Sequence, residues 1–177
     1  MEKLKLHDLF FEPFINADRI RNRIQEMGRQ LSQRYRGQNP VFLAILNGAF
    51  VFAADLVRAC DFNCEVTFVK LSSYEGLQSS GRINEVIGLE MDIRGRPVLI
   101  VEDIVDSGRT LASFIPRLQH LGPASIEIVS FLLKPEALEC DLSIYLTGFE
   151  IPNRFVVGYG LDYDGLGRNL PDIYQLA

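Results

Sequence analysis

Residues 98–111 read VLIVEDIVDSGRTL, in which an apolar run is followed by acidic residues and then by a polar turn. Pro97–Val101 is almost entirely aliphatic, which is typical of a parallel strand covered on both faces and central in its sheet. A helix is predicted to begin within residues 107–110 and to end before Gly122, because glycine and the proline after it stop helices. A buried strand that leads directly into a helix indicates an α/β fold.

Strands and helices alternate along the rest of the chain. Apolar residues at three-to-four spacing predict a helix over Asn16–Tyr35. The other predicted helix covers 50–60, and the other predicted strands cover 40–46, 65–71, 85–91, 125–133, 143–146 and 155–159, before an irregular tail. Pro116 is expected to kink or interrupt its helix, because it removes one backbone donor. The alternation predicts one domain, residues 1–177, with a mainly parallel sheet flanked by helices.

Ligands of such sheets lie beyond the carboxyl ends of the strands. The turn after residue 106 is suited to a phosphate there, because helix-start amides are unpaired and the helix dipole favours an anion. Gly108 allows close approach of a ligand, and Ser107 and Thr110 add hydroxyl donors. This turn therefore predicts a phosphate-binding site.

Three carboxylates, Glu102, Asp103 and Asp106, lie beside that turn and would repel a phosphate unless they contact something else. Sugar hydroxyls donate to carboxylates, and a magnesium ion takes oxygen ligands and bridges to phosphates. A sugar phosphate with a magnesium-bound second phosphate would satisfy every group at once.

Other nucleotide sites and partners are not favoured by the sequence. There is no Gly-x4-Gly-Lys-Ser/Thr loop, and no Gly-x-Gly-x-x-Gly follows the first strand. The net charge is −5 and the basic residues are spread along the chain, which argues against nucleic acid. No stretch approaches the roughly 20 apolar residues that span a bilayer. Cys60, Cys64 and Cys140 lack histidines at ligand spacing, so we expect buried reduced thiols in the cytoplasm and no zinc.

The stretch 98–111 closely resembles the phosphoribosyl pyrophosphate signature of the type I phosphoribosyltransferases. The resemblance implies that Glu102 and Asp103 hold the ribose hydroxyls. It implies that residues Asp106–Thr110, which include Arg109, surround the 5′-phosphate. It also implies the fold of that family, in which terminal segments form a small hood over the parallel sheet.

Within this family, most of the chain is similar to the hypoxanthine and hypoxanthine–guanine enzymes. The similarity is carried by Lys134 after a strand that ends FLLK, and by FVVGYGLDY at 155–163. It implies that Lys134 donates to the 6-oxo group of a purine, that Phe155 stacks on the base, and that the backbone of Val156 reads its edge.

The same resemblance implies a pyrophosphate site and a magnesium site. Asn47–Gly48 matches the short pyrophosphate loop of the family, where many relatives carry Lys or Arg in place of Asn47, and an unusual backbone is expected there. Arg168 is implied to contact pyrophosphate as well. The metal is implied to lie near Glu102, Asp103 and Asp162.

The implied reaction joins phosphoribosyl pyrophosphate to hypoxanthine or guanine, giving IMP or GMP and pyrophosphate. Asp106 is expected to accept the N7 proton as N9 attacks, and Ser73 and Tyr74 are expected to close a mobile loop, 72–84, over the site. The family resemblance suggests a homodimer or homotetramer.

Two alternatives stay open from the sequence. A regulator with this fold would bind nucleotide and RNA or DNA without catalysis, although the acidic balance and the absence of an added module argue against it. An enzyme that prefers xanthine or guanine is the second alternative, because backbone contacts decide between these bases.

Overall fold

The computed structural model describes residues 3–73 and 83–177, which form two sheets and three α-helices. The helices are α1 (Ala17–Tyr35), α2 (Phe50–Ala59) and α3 (Arg109–Gln119). The strands are β1 (Leu4–Leu6), β2 (Leu9–Ile15), β3 (Val41–Leu46), β4 (Glu65–Ser73), β5 (Ile83–Ile87), β6 (Pro97–Val105), β7 (Ser125–Leu133), β8 (Ile144–Glu150), β9 (Val156–Val157) and β10 (Ile173–Leu176).

The larger sheet has the order β5-β4-β3-β6-β7-β8, with β5 antiparallel to β4 and the other neighbours parallel. The strands at its centre, β3 and β6, are the most aliphatic ones. Val98–Val101 of β6 are fully buried, as expected for a strand that is covered on both faces. The predicted mainly parallel sheet is confirmed.

Helices cover both faces of this sheet. On one face α1 and α2 pack against Phe42, Leu99 and Val101, and on the other α3 packs against Leu43 and Ile100. Successive side chains of a strand point to opposite faces, so a continuous apolar run supplies both cores. The chain therefore has two hydrophobic layers with the sheet between them.

Both ends of the chain meet in a second, four-stranded sheet of order β1-β2-β10-β9. This small sheet is antiparallel throughout, and β10 pairs with both β2 and β9. It corresponds to the hood of terminal segments that the family resemblance implies. The prediction of an irregular tail is wrong at residues 173–176, which form β10 because β2 and β9 supply its hydrogen-bond partners.

Some element boundaries differ from those that the sequence predicts. β6 extends to Val105, since Ile104 and Val105 pair with β7. α3 runs without interruption through Pro116, although this residue lacks a backbone donor. The strand predicted over 85–91 lies at 83–87 and turns back along β4.

The three cysteines are free, as predicted, but each is only half-buried, so the prediction that they are buried is wrong. Burial raises the pKa of the Cys60 thiol to about 12, which keeps it protonated. No helix among the described residues is long and apolar enough to cross a membrane.

Candidate active site

A cavity of about 310 Å³ opens at the carboxyl ends of β3 and β6. Ten of the predicted site residues line it: Asn47, Gly48, Glu102, Asp103, Asp106, Ser107, Gly108, Thr110, Asp162 and Arg168. They come from four separate parts of the sequence. The parallel order of β3 and β6 brings the first two parts together, and the return of the chain after β9 adds the others.

Glu102, which is buried, and Asp103, which is partly buried, are neighbouring carboxyl groups that line this cavity. Burial raises the pKa of Glu102 well above its usual value, and the neighbouring charge of Asp103 raises it further. Burial also raises the pKa of Asp103, although hydrogen bonds from Glu102 and from the Ile104 amide, at 2.9 Å, act in the opposite direction. Two neighbouring acids whose pKa values are both raised favour sharing a proton, so this pair is suited to a ligand that brings positive charge or hydroxyl donors.

The turn that follows β6 carries the predicted phosphate site. Gly108 has a left-handed φ of +78° and caps α3, and the amide of Ala112 donates to its carbonyl at 2.9 Å. A Cβ at Gly108 would lie 2.7 Å from a methyl of Leu142, which would have to shift, and the positive φ would strain any residue with a side chain. The first amides of α3 are therefore presented to the cavity that Ser107 and Thr110 also line.

Asn47 and Gly48 follow β3 on the other side of the cavity. The peptide bond between Leu46 and Asn47 is cis, which confirms the expected unusual backbone. Gly48 lies against the carboxylate of Asp103, where a Cβ would overlap the Asp103 side chain. The loop and the acid pair are thus in direct contact.

Asp162 and Arg168 form an ion pair at the cavity wall. Arg168 Nη2 lies 2.7 Å from Asp162 Oδ1, and its Nη1 donates to the carbonyl of Gly160 at 2.7 Å. The other carboxylate oxygen of Asp162 accepts from the Gly165 amide at 2.7 Å. The guanidinium is therefore held at the cavity by two partners, where it can meet an anion.

Lys134 follows β7 and forms an ion pair with Asp106. Its Nζ lies 2.8 Å from Asp106 Oδ2, and its side chain is 9% exposed, against 53% for Asp106. The pair connects the predicted base-reading lysine to the predicted proton acceptor. An ammonium has three donors, so Lys134 can keep this partner and still donate to a ligand.

Five predicted residues that the structure describes are absent from the cavity lining: Ser73, Arg109, Lys134, Phe155 and Val156. Arg109 is directed to Glu139, with a 2.5 Å ion pair, so its guanidinium is not a wall of the cavity. Phe155 is half-exposed and packs on Phe11 and Tyr163, while Val156 is buried in β9. Of the predicted loop residues, Ser73 ends β4, and Tyr74 lies outside the described residues.

The residues present fit a magnesium ion only together with a ligand. Among residues 3–73 and 83–177 no group of three or more His, Cys, Asp or Glu side chains could hold a metal. Magnesium, however, is typically bound through one or two carboxylates, several waters and substrate phosphates. The Glu102–Asp103 pair beside the predicted phosphate turn has this donor chemistry.

Sequence reasoning missed the apolar part of the lining. The cavity is completed by Ile45, Leu46, Leu71, Ile104, Val105 and Leu111. Nothing in their side-chain chemistry distinguishes them from core residues. Their position, near the ends of β3, β4 and β6 or in the first turn of α3, was the only available signal.

Comparisons of the sequence and of the structure with known proteins identify relatives of the same family. Residues 16–164 match the phosphoribosyl transferase domain family. A hypoxanthine-guanine phosphoribosyltransferase of Aquifex aeolicus is 40% identical over 177 residues, which is 99% of this chain and 96% of that protein. The crystal structure of a hypoxanthine phosphoribosyltransferase from Staphylococcus aureus superimposes with a TM-score of 0.90 at 39% identity, covering 94% of this chain and 91% of the other.

Some relatives are much longer than this chain. The bifunctional protein TilS/HprT of Listeria monocytogenes is 38% identical over 169 residues, which is 95% of this chain. The chain spans about a quarter, 26%, of that relative. The similarity therefore concerns one part of the longer protein.

Proposed function

The chain belongs to the phosphoribosyltransferase family, and on that premise we propose that it acts in purine salvage. The proposed reaction transfers the phosphoribosyl group of phosphoribosyl pyrophosphate to hypoxanthine and guanine, giving IMP and GMP with release of pyrophosphate. The observation that carries the proposal is the common cavity, in which the Glu102–Asp103 pair and the glycine turn at the start of α3 lie side by side. Such a cavity suits a sugar that carries phosphates.

We propose that the donor lies between Glu102 and the start of α3. The amides of Ser107–Thr110 would bind the 5′-phosphate, since the left-handed Gly108 brings the backbone close to it. Glu102 and Asp103 would accept hydrogen bonds from the ribose hydroxyls. Magnesium, bound by phosphate oxygens and by one or two of the carboxylates Glu102, Asp103 and Asp162, would supply positive charge near the leaving pyrophosphate.

The pyrophosphate would lie between the Asn47–Gly48 loop and Arg168. Arg168 supplies a cation that is already held by two partners. The loop would contribute backbone amides, because Asn47 has no charge to offer where many relatives have Lys or Arg. We propose that Arg168 therefore carries much of the pyrophosphate affinity in this chain.

The purine would lie beside Lys134 and Asp106. Lys134 would donate to the 6-oxo group, Phe155 would stack on the ring, and the backbone of Val156 would meet its edge. As N9 attacks the anomeric carbon, the C–O bond to pyrophosphate breaks and the N7 proton passes to Asp106. The ion pair with Lys134, at 2.8 Å, keeps the Asp106 carboxylate oriented before that transfer.

Further parts of the proposal concern the protein as a whole. Residues 1–177 would form one phosphoribosyltransferase domain that works in the cytoplasm as a homodimer or homotetramer. The expected role of Ser73 and Tyr74 in excluding water from the developing cation stays a prediction, because Tyr74 lies outside the described residues.

One assay tests the proposed function directly. The protein, magnesium and phosphoribosyl pyrophosphate are incubated with hypoxanthine, guanine, xanthine or adenine separately, and nucleotide and pyrophosphate are both quantified. We expect turnover with hypoxanthine and with guanine, and in each reaction the yield of nucleotide should equal the yield of pyrophosphate. Turnover with xanthine alone would show that the proposed base is wrong. Absence of both binding and turnover of phosphoribosyl pyrophosphate would overturn the proposal.

A further inference from the structure

Tyr159 is a buried tyrosine in an unusual backbone conformation just outside the candidate active site. Its φ is +48°, which is rare for a residue with a side chain, and it is 6% exposed. The ring packs on Phe131 with centroids 4.8 Å apart. Its hydroxyl donates to Asp55 Oδ2 at 2.7 Å, which connects the segment after β9 to the middle of α2.

The backbone around Tyr159 holds the residues that face the candidate pyrophosphate site. The Tyr159 amide donates to Leu170 at 2.9 Å, and the Gly160 amide donates to the carbonyl of Arg168 at 3.0 Å. The guanidinium of Arg168 donates back to the Gly160 carbonyl at 2.7 Å. Arg168 is therefore tied to the Tyr159–Gly160 segment through both its backbone and its side chain.

The same segment touches the loop on the other side of the site. Gly160 has a φ of +104°, and a Cβ there would overlap the carbonyl oxygen of Gly48. Gly48 in turn leads into α2, which carries Asp55. Two contacts thus join the cavity wall that carries Arg168 to the wall that carries Asn47–Gly48. One is the backbone contact between Gly160 and Gly48, and the other is the hydrogen bond between Tyr159 and Asp55.

We propose that Tyr159 and Asp55 are positioning residues that set the separation between Arg168 and the Asn47–Gly48 loop, and so set the affinity for pyrophosphate. The inference rests on the proposed function, because that function places pyrophosphate between these two walls. Neither Tyr159 nor Asp55 lines the cavity at the end of β6. They line a separate cavity of about 700 Å³ between α1 and α2, of which Arg168 is a shared wall.

The hydrogen bond between Tyr159 and Asp55 is expected to persist at physiological pH. Burial raises the pKa of Tyr159, and the hydrogen bond to Asp55 raises it further, so the hydroxyl stays protonated at physiological pH. A hydrogen bond to a charged acceptor is among the stronger ones in proteins. Replacing Tyr159 with Phe removes this bond and keeps the ring that packs on Phe131.

The test measures binding of magnesium pyrophosphate and of ribose 5-phosphate by titration calorimetry. We expect Tyr159→Phe and Asp55→Ala to weaken pyrophosphate about tenfold, the worth of one hydrogen bond to a charged group. Ribose 5-phosphate, which would lie at the Ser107–Thr110 turn, should change less than about twofold. Asp55→Asn keeps an acceptor oxygen and should recover most of the lost affinity.

Tyr35→Phe is the matched control for loss of a buried tyrosine hydroxyl. Tyr35 is 2% exposed and its hydroxyl donates to Glu127 at 2.5 Å, at the opposite end of the sheet from the site. This variant should lower the melting temperature as Tyr159→Phe does, but leave pyrophosphate affinity unchanged. Equal loss of affinity in both variants would mean that Tyr159 acts only through overall stability.

A double-mutant cycle identifies the route of the effect. In an Arg168→Ala background, Tyr159→Phe should weaken pyrophosphate by less than about twofold, because the group it positions is gone. A full additional tenfold loss would overturn the inference. Wild-type protein that binds neither pyrophosphate nor the donor would overturn the proposed function as well, whereas unchanged affinity in Tyr159→Phe beside an active wild type overturns the inference alone.

Discussion

Replacing Glu102 with Gln should make the ligand-free protein more stable at neutral pH. Glu102 is buried beside Asp103, and both burial and that neighbouring charge raise its pKa well above the usual value. At neutral pH the folded protein therefore either retains a proton that the unfolded chain releases or buries a second charge. Gln has the same shape, needs no proton and can donate its amide to Asp103, so the substitution removes this cost.

The sign and size of the effect follow from proton linkage. A raised pKa in the folded state means that wild-type stability is fully present below about pH 4.5 and falls as pH rises through the folded pKa. Each unit by which the pKa of Glu102 is raised costs about 1.4 kcal/mol. In a chain of this length 1 kcal/mol shifts Tm by roughly 2–4 °C, so each unit corresponds to about 3–6 °C in favour of Glu102→Gln at neutral pH.

The assay is thermal unfolding of both proteins without ligand across pH 4 to 8. The two melting temperatures should converge near pH 4 and separate as pH rises, with the variant higher. Glu136→Gln, an exposed carboxylate change, is the control and should track the wild type throughout. A variant that is equally stable or less stable at neutral pH would refute the reasoning, since burial would then not be the origin of the raised pKa.

Three further substitutions test the proposed site. Asp106→Asn should lower turnover by about 10²–10⁴-fold while donor binding persists, and calorimetry with single-turnover kinetics separates the two; unchanged turnover would exclude Asp106 as proton acceptor. Lys134→Ala should weaken binding of 6-oxopurines roughly 10- to 100-fold and adenine much less, measured by competitive titration, and equal losses would show that Lys134 does not read the base. Gly108→Ala should lower the free energy of unfolding by about 1–2 kcal/mol in denaturant titrations, because the φ of Gly108 is +78°. The same substitution should abolish donor binding, and donor affinity equal to wild type would contradict the proposal that this turn binds the phosphate.

The sequence predicts the architecture well because its signals are local. The aliphatic run of β6 and the glycine turn after it specify a buried strand and a helix start from neighbouring residues alone. Where a boundary depends on a partner, prediction fails. The extension of β6 to Val105 requires pairing with β7, and β10 exists because β2 and β9 bind both of its edges.

The same distinction applies to the candidate site. The acids and the phosphate turn are adjacent in sequence, and they do line one cavity. Arg109 belongs to the same motif, but its guanidinium pairs with Glu139, which lies 30 residues along the chain. A motif indicates which backbone groups come together, whereas the direction of a long side chain depends on charges that only folding brings near.

The amino-acid sequence by itself determined the fold class, the end of the sheet where the candidate site lies, and the acids and turn that follow β6. These properties follow from hydrophobic patterning and from turn chemistry within a few residues. The other predicted lining residues were implied by the family resemblance: Asn47, Gly48, Asp162 and Arg168. Only the tertiary structure decided the 2.8 Å pair of Lys134 with Asp106, the raised pKa of Glu102, and the link from Tyr159 to Asp55. Each of these three features depends on burial or on a contact between distant segments. Burial and such contacts exist only after the parallel strands have paired in the folded sheet.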